Sequence, residues 1–566
     1  MNTKNDDIAL YAGGLEQKQS KPFPLSRLIL YHFLIPTAII ITAVNFFLGD
    51  SYKSSPQDRL EQALSSNEFE EASLIYQKLL KDDFSSINLH RDYLRNQSLI
   101  NDFSHDNTAY SDTVNTYFKY ATSKDPLEAD IGNYAIGYLY SLNGKYWDSL
   151  IYYSRVNDRQ MPFLNNSIGY CLLQLGERKD AMSYFYKEIE ADGNIAGACM
   201  NLVEILYEDK NFELLERLIS NPRTSPHISI RLKRITHIEQ QQPLKYLAAL
   251  FNYSHVLPAG LAASILVLAV WFFYLRKLDV FEPEKYRYML LMLAGGMICA
   301  EFCTFFYDIT NYSLGFNIGR GMFNDLLYCI FAIGLIEEAV KIIPFLIMLR
   351  YSKEINEPVD YLIYASVSAL GFAFVENLLY FNESGLASIT GRAFTAVLLH
   401  MSMSTFAVYG LLYTKYFRKN NRPVFWLSLS FSAAVLVHGL YDFWLIANVE
   451  EQYRLFSIII LIAATWKFST IIKNSLSISA FNLEEKNRVL HLTRYLAYSL
   501  MAIILMQYVL IAVQHGALKA NINMLQGISA FYFLLFVLIM TMGNIQLKPN
   551  KTHDSQEMEI KTTSLE

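Results

Sequence analysis

Ionisable side chains are scarce in apolar sequence, and here they gather on four consecutive apolar runs. Glu337, Glu338 and Lys341 lie in GLIEEAVKIIPF, Glu376 in GFAFVENLLYF, Arg392 and His400 in the run that follows, and His438 with Asp442 in LVHGLYDFW. A charged side chain at a bilayer centre costs roughly 2.5–3.5 kcal/mol on insertion scales, so each of these is a candidate for function. Carboxylates beside imidazoles are groups that activate water, and neighbouring cations hold the carboxylates or steady an oxyanion. Glu337 and Lys341 are four apart, as are His438 and Asp442, so each pair shares a helix face. Glu338 and Lys341 are three apart, while the two glutamates point about 100° away from each other, so one can face a substrate while Lys341 holds the other. A lone intramembrane histidine usually bonds a neighbouring helix, but His400 and His438 recur at similar depth on successive runs and read as a functional pair. Arg392, near the end of its run, suits either this cluster or the interface. Glu301 lacks a motif partner and reads as a packing contact.

The elements that must position these residues are apolar and long. The chain has 566 residues, 52% hydrophobic and 18% charged, with a net charge of −5, which argues against disorder and nucleic-acid binding. Runs at about 28–49, 255–275, 287–307, 326–349, 361–381, 392–414, 424–447, 454–472, 493–513 and 526–543 are each near the roughly 20 residues a spanning helix needs. They predict about ten spans. The first run is followed by Asp50-Ser51-Tyr52-Lys53 without a small-residue cleavage site, and so reads as an anchor rather than a signal peptide. Lys and Arg alternate between loops as a cytoplasmic excess requires: Arg276-Lys277, Arg350 with Lys353, Lys415 with Arg418, and Lys486 with Arg488 fall on the side of the N-terminus. Both termini are then expected in the cytoplasm and residues 50–245 outside it. Cys171, Cys199, Cys299, Cys303 and Cys329 show no metal-binding or disulfide spacing.

Between the first two runs the sequence turns charged and amphipathic, and similar phrases recur. GKYWDSLIYYSRV from Gly144, GERKDAMSYFYKEI from Gly176 and KNFELLERLI from Lys210 start 32 and 34 residues apart, close to the helix-turn-helix repeat of about 34 residues in tetratricopeptide arrays. Such units stack into a solenoid whose concave face commonly holds a peptide or protein partner. The fold class expected is therefore all-α: a polytopic membrane helix bundle with a soluble α-solenoid, tetratricopeptide-like insert between spans one and two.

The ordered set Glu337-Glu338-x-x-Lys341, Phe372-x-x-x-Glu376-Asn377, Arg392 before His400, and His438-x-x-x-Asp442 resembles the PrsW family of intramembrane proteases, within the clan that includes the CAAX-prenyl endopeptidases. The segment Leu278-Asp279-Val280-Phe281-Glu282-Pro283-Glu284 is similar to that family's short Asp/Glu-Pro stretch. The resemblance implies that a glutamate of the Glu337-Glu338 pair activates water with help from His400, and that the last motif serves the oxyanion. An ionised Asp442 would repel an oxyanion, so an orienting role on His438 is preferred for it. Glu376 stays open as base, ligand or structural partner, with Lys341, Arg392 and Asn377 in support.

The expected function is an intramembrane endopeptidase cutting a membrane-anchored protein, such as an anti-sigma-like regulator, with no cofactor and with the repeat domain recruiting substrate. Zinc on His400, His438 and a carboxylate is the alternative within the enzyme class, though HExxH is absent. A proton-coupled transporter or inactive scaffold is the alternative from another class. The expected organisation is a cytoplasmic tail at 1–27, the anchor at 28–49, the repeat domain at 50–245, the protease core at 255–450, three further spans at 451–545 and a disordered cytoplasmic tail at 546–566. The expected location is the bacterial inner membrane, with the lipid bilayer and protein partners but no nucleic acid.

Overall fold

Apolar sequence that must satisfy its own backbone without water forms helices. The computed structural model describes residues 35–48, 56–65, 68–101, 107–253, 256–383, 385–418, 422–447, 449–480, 482 and 488–547. The expected tails at 1–27 and beyond Leu547, and the start of the anchor, lie outside these residues. Among the described residues seven helices are long and apolar enough to cross a membrane by length and composition, and the shorter apolar helices include Ile35–Leu48 and Tyr532–Met542. The run expected at 326–349 falls on Met322–Leu327, a π-helical stretch Tyr328–Gly334 and the helix Leu335–Tyr351, which carries the Glu337-Glu338 pair.

The described residues form two compact units, one drawn from Met1–Gly49, Val256–Ile298 and Glu338–Glu566, the other from Asp50–His255 and Cys299–Glu337. The helices Tyr286–Asp308 and Leu335–Tyr351 run unbroken through the points of division.

In the first unit the helices that carry the ionisable residues approach closely where side chains are small. A Cβ on Gly371 would lie 2.1 Å from the Leu293 carbonyl oxygen, and one on Gly296 would lie 1.9 Å from that of Ser368. Only glycine permits this backbone contact, which packs Pro358–Glu383 against Tyr286–Asp308. The run expected at 392–414 is interrupted at Thr395, with φ −116° and ψ −74°, between the helices Ile389–Phe394 and Ala396–Leu412. The two last runs fall on Thr493–Met542, which changes direction at Gly516, where φ is 85°, a left-handed conformation that glycine adopts without a Cβ clash. Arg488–His491 pairs antiparallel with Asn544–Leu547, Arg488 opposite Leu547 and His491 opposite Asn544. Gln546 and Leu547, at the start of the stretch expected as a tail, belong to this strand, whose alternate residues Ile545 and Leu547 are buried.

In the second unit short helices follow one another in pairs: Pro126–Leu142 with Tyr146–Ser154, Leu164–Gln174 with Arg178–Glu190, and Ile195–Glu208 with Phe212–Ser220. Each pair turns on a left-handed residue, Gly144 (φ 71°), Gly176 (φ 87°) and Lys210 (φ 53°), at the positions where the sequence phrases begin. The cores lie between successive helices, with Tyr134, Tyr153 and Ile168 in one cluster and Phe185, Leu202 and Leu215 in the next.

Candidate active site

The helix Leu335–Tyr351 starts directly from the π-helical stretch Tyr328–Gly334, a geometry common at functional sites. It contains Pro344, which removes a helix hydrogen bond, and Ser368 of the neighbouring helix donates to the Lys341 carbonyl one turn earlier (2.7 Å). Glu338 and Lys341 are both completely buried. Lys341 Nζ lies 3.0 Å from Glu338 Oε1, which also lies 2.7 Å from His438 Nδ1, and Ser404 donates to Glu338 Oε2 at 3.1 Å. Both oxygens of Glu338 are thus occupied.

Lys341 continues the network, because its Nζ is 2.7 Å from His400 Nδ1 and 4.6 Å from the centre of the Phe372 ring. On its other side His400 Nε2 lies 2.7 Å from Glu376 Oε2. That same oxygen pairs with Arg392 Nη2 at 2.9 Å, Arg392 Nε donates to Asn377 Oδ1 at 2.8 Å, and the guanidinium stacks 3.8 Å from the centre of Tyr380. Arg392 therefore belongs to the cluster and not to the interface. His400 and His438 meet edge to face, 5.3 Å between ring centres, and Asp442 Oδ2 is 3.4 Å from His438 Nε2. Of the predicted residues, Glu338, Lys341, Glu376, Asn377, Arg392, His400, His438 and Asp442 are thus joined in one network.

Glu337 stands one residue ahead of this network, and the Tyr307 hydroxyl donates to its Oε1 at 2.5 Å. Glu337, His400 and His438 are of residue types that ligate divalent metals. A carboxylate with two imidazoles is a donor set for zinc that leaves a position for water. Each histidine also has one nitrogen on a carboxylate, His438 on Glu338 and His400 on Glu376, the pairing that orients ligating imidazoles.

Sequence reasoning missed Ser404 and Tyr307. Ser404 follows His400 by four residues and so shares its face, a signal that was available. Tyr307 is one tyrosine among 39 and carries no such signal. Glu301 accepts from the Tyr253 hydroxyl. The segment from Leu278 to Glu284 forms a separate acidic knot: Asp279 accepts from the Glu284 amide (2.6 Å) and Glu284 accepts from the Tyr364 hydroxyl. Burial pushes the carboxyls of Asp279 and Glu284 up to about 7.

Residues 284–466 match the family model described as PrsW family intramembrane metalloprotease. Protease PrsW of Clostridioides difficile (strain 630) is 27% identical over 211 residues, which cover 36% of this chain and 86% of that protein. Protease PrsW of Bacillus subtilis (strain 168) is 28% identical over 192 residues, covering 34% of this chain and 83% of that protein. No solved structure matches.

Proposed function

Across residues 284–466 this chain belongs to the PrsW family of intramembrane proteases, and we propose that it hydrolyses a peptide bond of a membrane-anchored protein with Glu337 as the base. The observation that carries the choice of base is the engagement of Glu338, which is completely buried with both oxygens bound. Glu376 Oε2 is shared by His400 and Arg392, which suits that residue to a structural part, and Glu337, the other member of the pair, accepts from Tyr307 on Oε1. In the reaction Glu337 takes a proton from water as the water oxygen bonds to the scissile carbonyl carbon, assisted by His400. The carbonyl electrons move onto oxygen, where Lys341 and His438 offer positive charge. The C–N bond then breaks, and the proton on Glu337 passes to the leaving amine. Asp442 orients His438.

A second reading is favoured by the donor types of Glu337, His400 and His438, a carboxylate and two imidazoles that would suit a divalent metal. Such an ion supplies a Lewis acid and a bound water of lowered pKa. Glu338 and Glu376 would then orient the two imidazoles. The test is turnover of a transmembrane peptide by purified protein after dialysis against EDTA. Unchanged turnover is the outcome expected from the glutamate reaction; loss restored by zinc but not by magnesium would replace it with the metal reading.

The chain is a multi-pass bacterial membrane protein. We place both termini in the cytoplasm and the paired helices of 50–245 outside, on the alternation of Lys and Arg between loops. There a tetratricopeptide-like array recruits the extracytoplasmic part of the substrate, an anti-sigma-like regulator being one candidate. A groove lined by Ile168, Leu172, Tyr184 and Lys187 offers both apolar and charged contacts. Tyr184→Ala is expected to raise KM severalfold for a full-length substrate and leave it unchanged for a minimal transmembrane peptide, with a cysteine at the groove labelled from outside. Equal KM effects on both substrates, or labelling only from the cytoplasm, would remove this role.

A further inference from the structure

The second unit contains a chain of contacts that runs from the paired helices to Glu337. Asp308, 4% exposed, ends the helix Tyr286–Asp308, and two groups from the last helices of the array hold it. Arg234, on Ile230–Glu239, donates Nε to Asp308 Oδ2 at 2.7 Å and Nη2 to Oδ1 at 3.3 Å, a two-pronged grip on one carboxylate. Tyr246, on Pro243–Leu250, donates its hydroxyl to Asp308 Oδ2 at 3.2 Å. The next turn is π-helical, Ile309–Ser313, and the array holds it as well: the Tyr312 ring lies 6.3 Å from Tyr207 and 6.2 Å from Phe212, centre to centre. Tyr328 closes the arrangement by donating to Asn311 Oδ1 at 2.8 Å, which joins this turn to the π-helical stretch that leads into Glu337.

Tyr307 sits inside this grip. It is the residue before Asp308, and its hydroxyl donates to Glu337 Oε1. We propose that Tyr307 is a positioning residue for Glu337, and that Arg234 and Tyr246 of the array fix the turn that aims it. The inference rests on the reading of Glu337 as the base and adds a second task for the array. Besides meeting the substrate, it completes the geometry of the reaction. π-Helical turns are rare and occur mostly as single turns at functional sites, and this one is held by the outside contacts just described. Without the grip on Asp308 the tyrosine would lose its fixed aim and Glu337 would sample orientations away from the water it must deprotonate.

The experiment uses the full chain, purified in nanodiscs, on a minimal transmembrane peptide with no soluble part for the array to bind. Rates are normalised to folded protein by size exclusion and melting. Tyr307→Phe removes one hydroxyl and is expected to lower kcat about ten-fold or more with KM unchanged, since a hydrogen bond to a charged group is at stake. Arg234→Gln is expected to lower kcat by a similar factor, and Arg234→Lys to recover part of it. In the Tyr307→Phe background Arg234→Gln should add little, because both changes act on one contact. Should Arg234→Gln fail to fold, Tyr307→Phe with Tyr246→Phe gives the same comparison. Wild-type kcat in Tyr307→Phe, beside an inactive Glu337→Gln, would overturn the positioning role alone. Fully additive losses would overturn the link to the array, and full turnover by Glu337→Gln would overturn the base and this role together.

Discussion

Replacing Glu337 by Gln is expected to lower turnover by about 10²–10⁴, the span contributed by a positioned general base, while membrane insertion and melting stay near those of the wild type. Gln keeps the size of the side chain and can still accept from Tyr307. It cannot take a proton from water. The contacts that hold the bundle are untouched, because Glu338, Lys341, His400 and His438 keep their own bonds to one another. Kinetics on a transmembrane peptide, with the melting curve of the same preparation, check both halves of the expectation. Turnover within about three-fold of wild type would move the base elsewhere, since such a residue contributes far more than that.

Lys341→Ala is expected to fail at an earlier stage. Lys341 is completely buried and stands between Glu338 and His400, so its removal leaves a buried carboxylate with only His438 and Ser404 to answer its charge. Breaking a buried pair in this way typically costs about 3–5 kcal/mol, to which an emptied side-chain volume adds. The amount of inserted protein and its melting in detergent should both fall. Lys341→Met, which restores volume without charge, should regain only a small part. Normal insertion and melting in both variants would mean that Glu338 needs no cation.

The parts of the site that were legible in the sequence are those whose presence in apolar sequence is costly. Glu337, Glu338, Lys341, Glu376, His400 and His438 stand out because little else in those helices ionises, and their spacing already sorts them onto faces. Arg392 was ambiguous, since the same residue near a helix end suits water or a buried partner; its place is decided by Glu376, Asn377 and Tyr380 from two turns of another helix. Hydroxyl groups are cheap in such helices, so Tyr307 was invisible and Ser404 offered only its spacing of four from His400, although both bond a glutamate of the pair. In the array the turn positions Gly144, Gly176 and Lys210 were visible as phrase starts because a left-handed residue recurs with each helix pair. The break at Thr395 left no pattern, because hydropathy records burial and not backbone direction, whereas the change of direction at Gly516 falls in the gap between the last two apolar runs.

The strand pair between Arg488–His491 and Asn544–Leu547 has a consequence for how the chain threads the bilayer. Two isolated strands leave edge amides and carbonyls unbonded, which exposure to hydrocarbon does not tolerate, so the arrangement suits water or the headgroups best. Its two members then share one side of the membrane. Whatever path the chain takes between them, it must cross an even number of times, and the change of direction at Gly516 lies on that path. Parity, which no count of apolar residues can supply, is thus set by four paired residues on each strand.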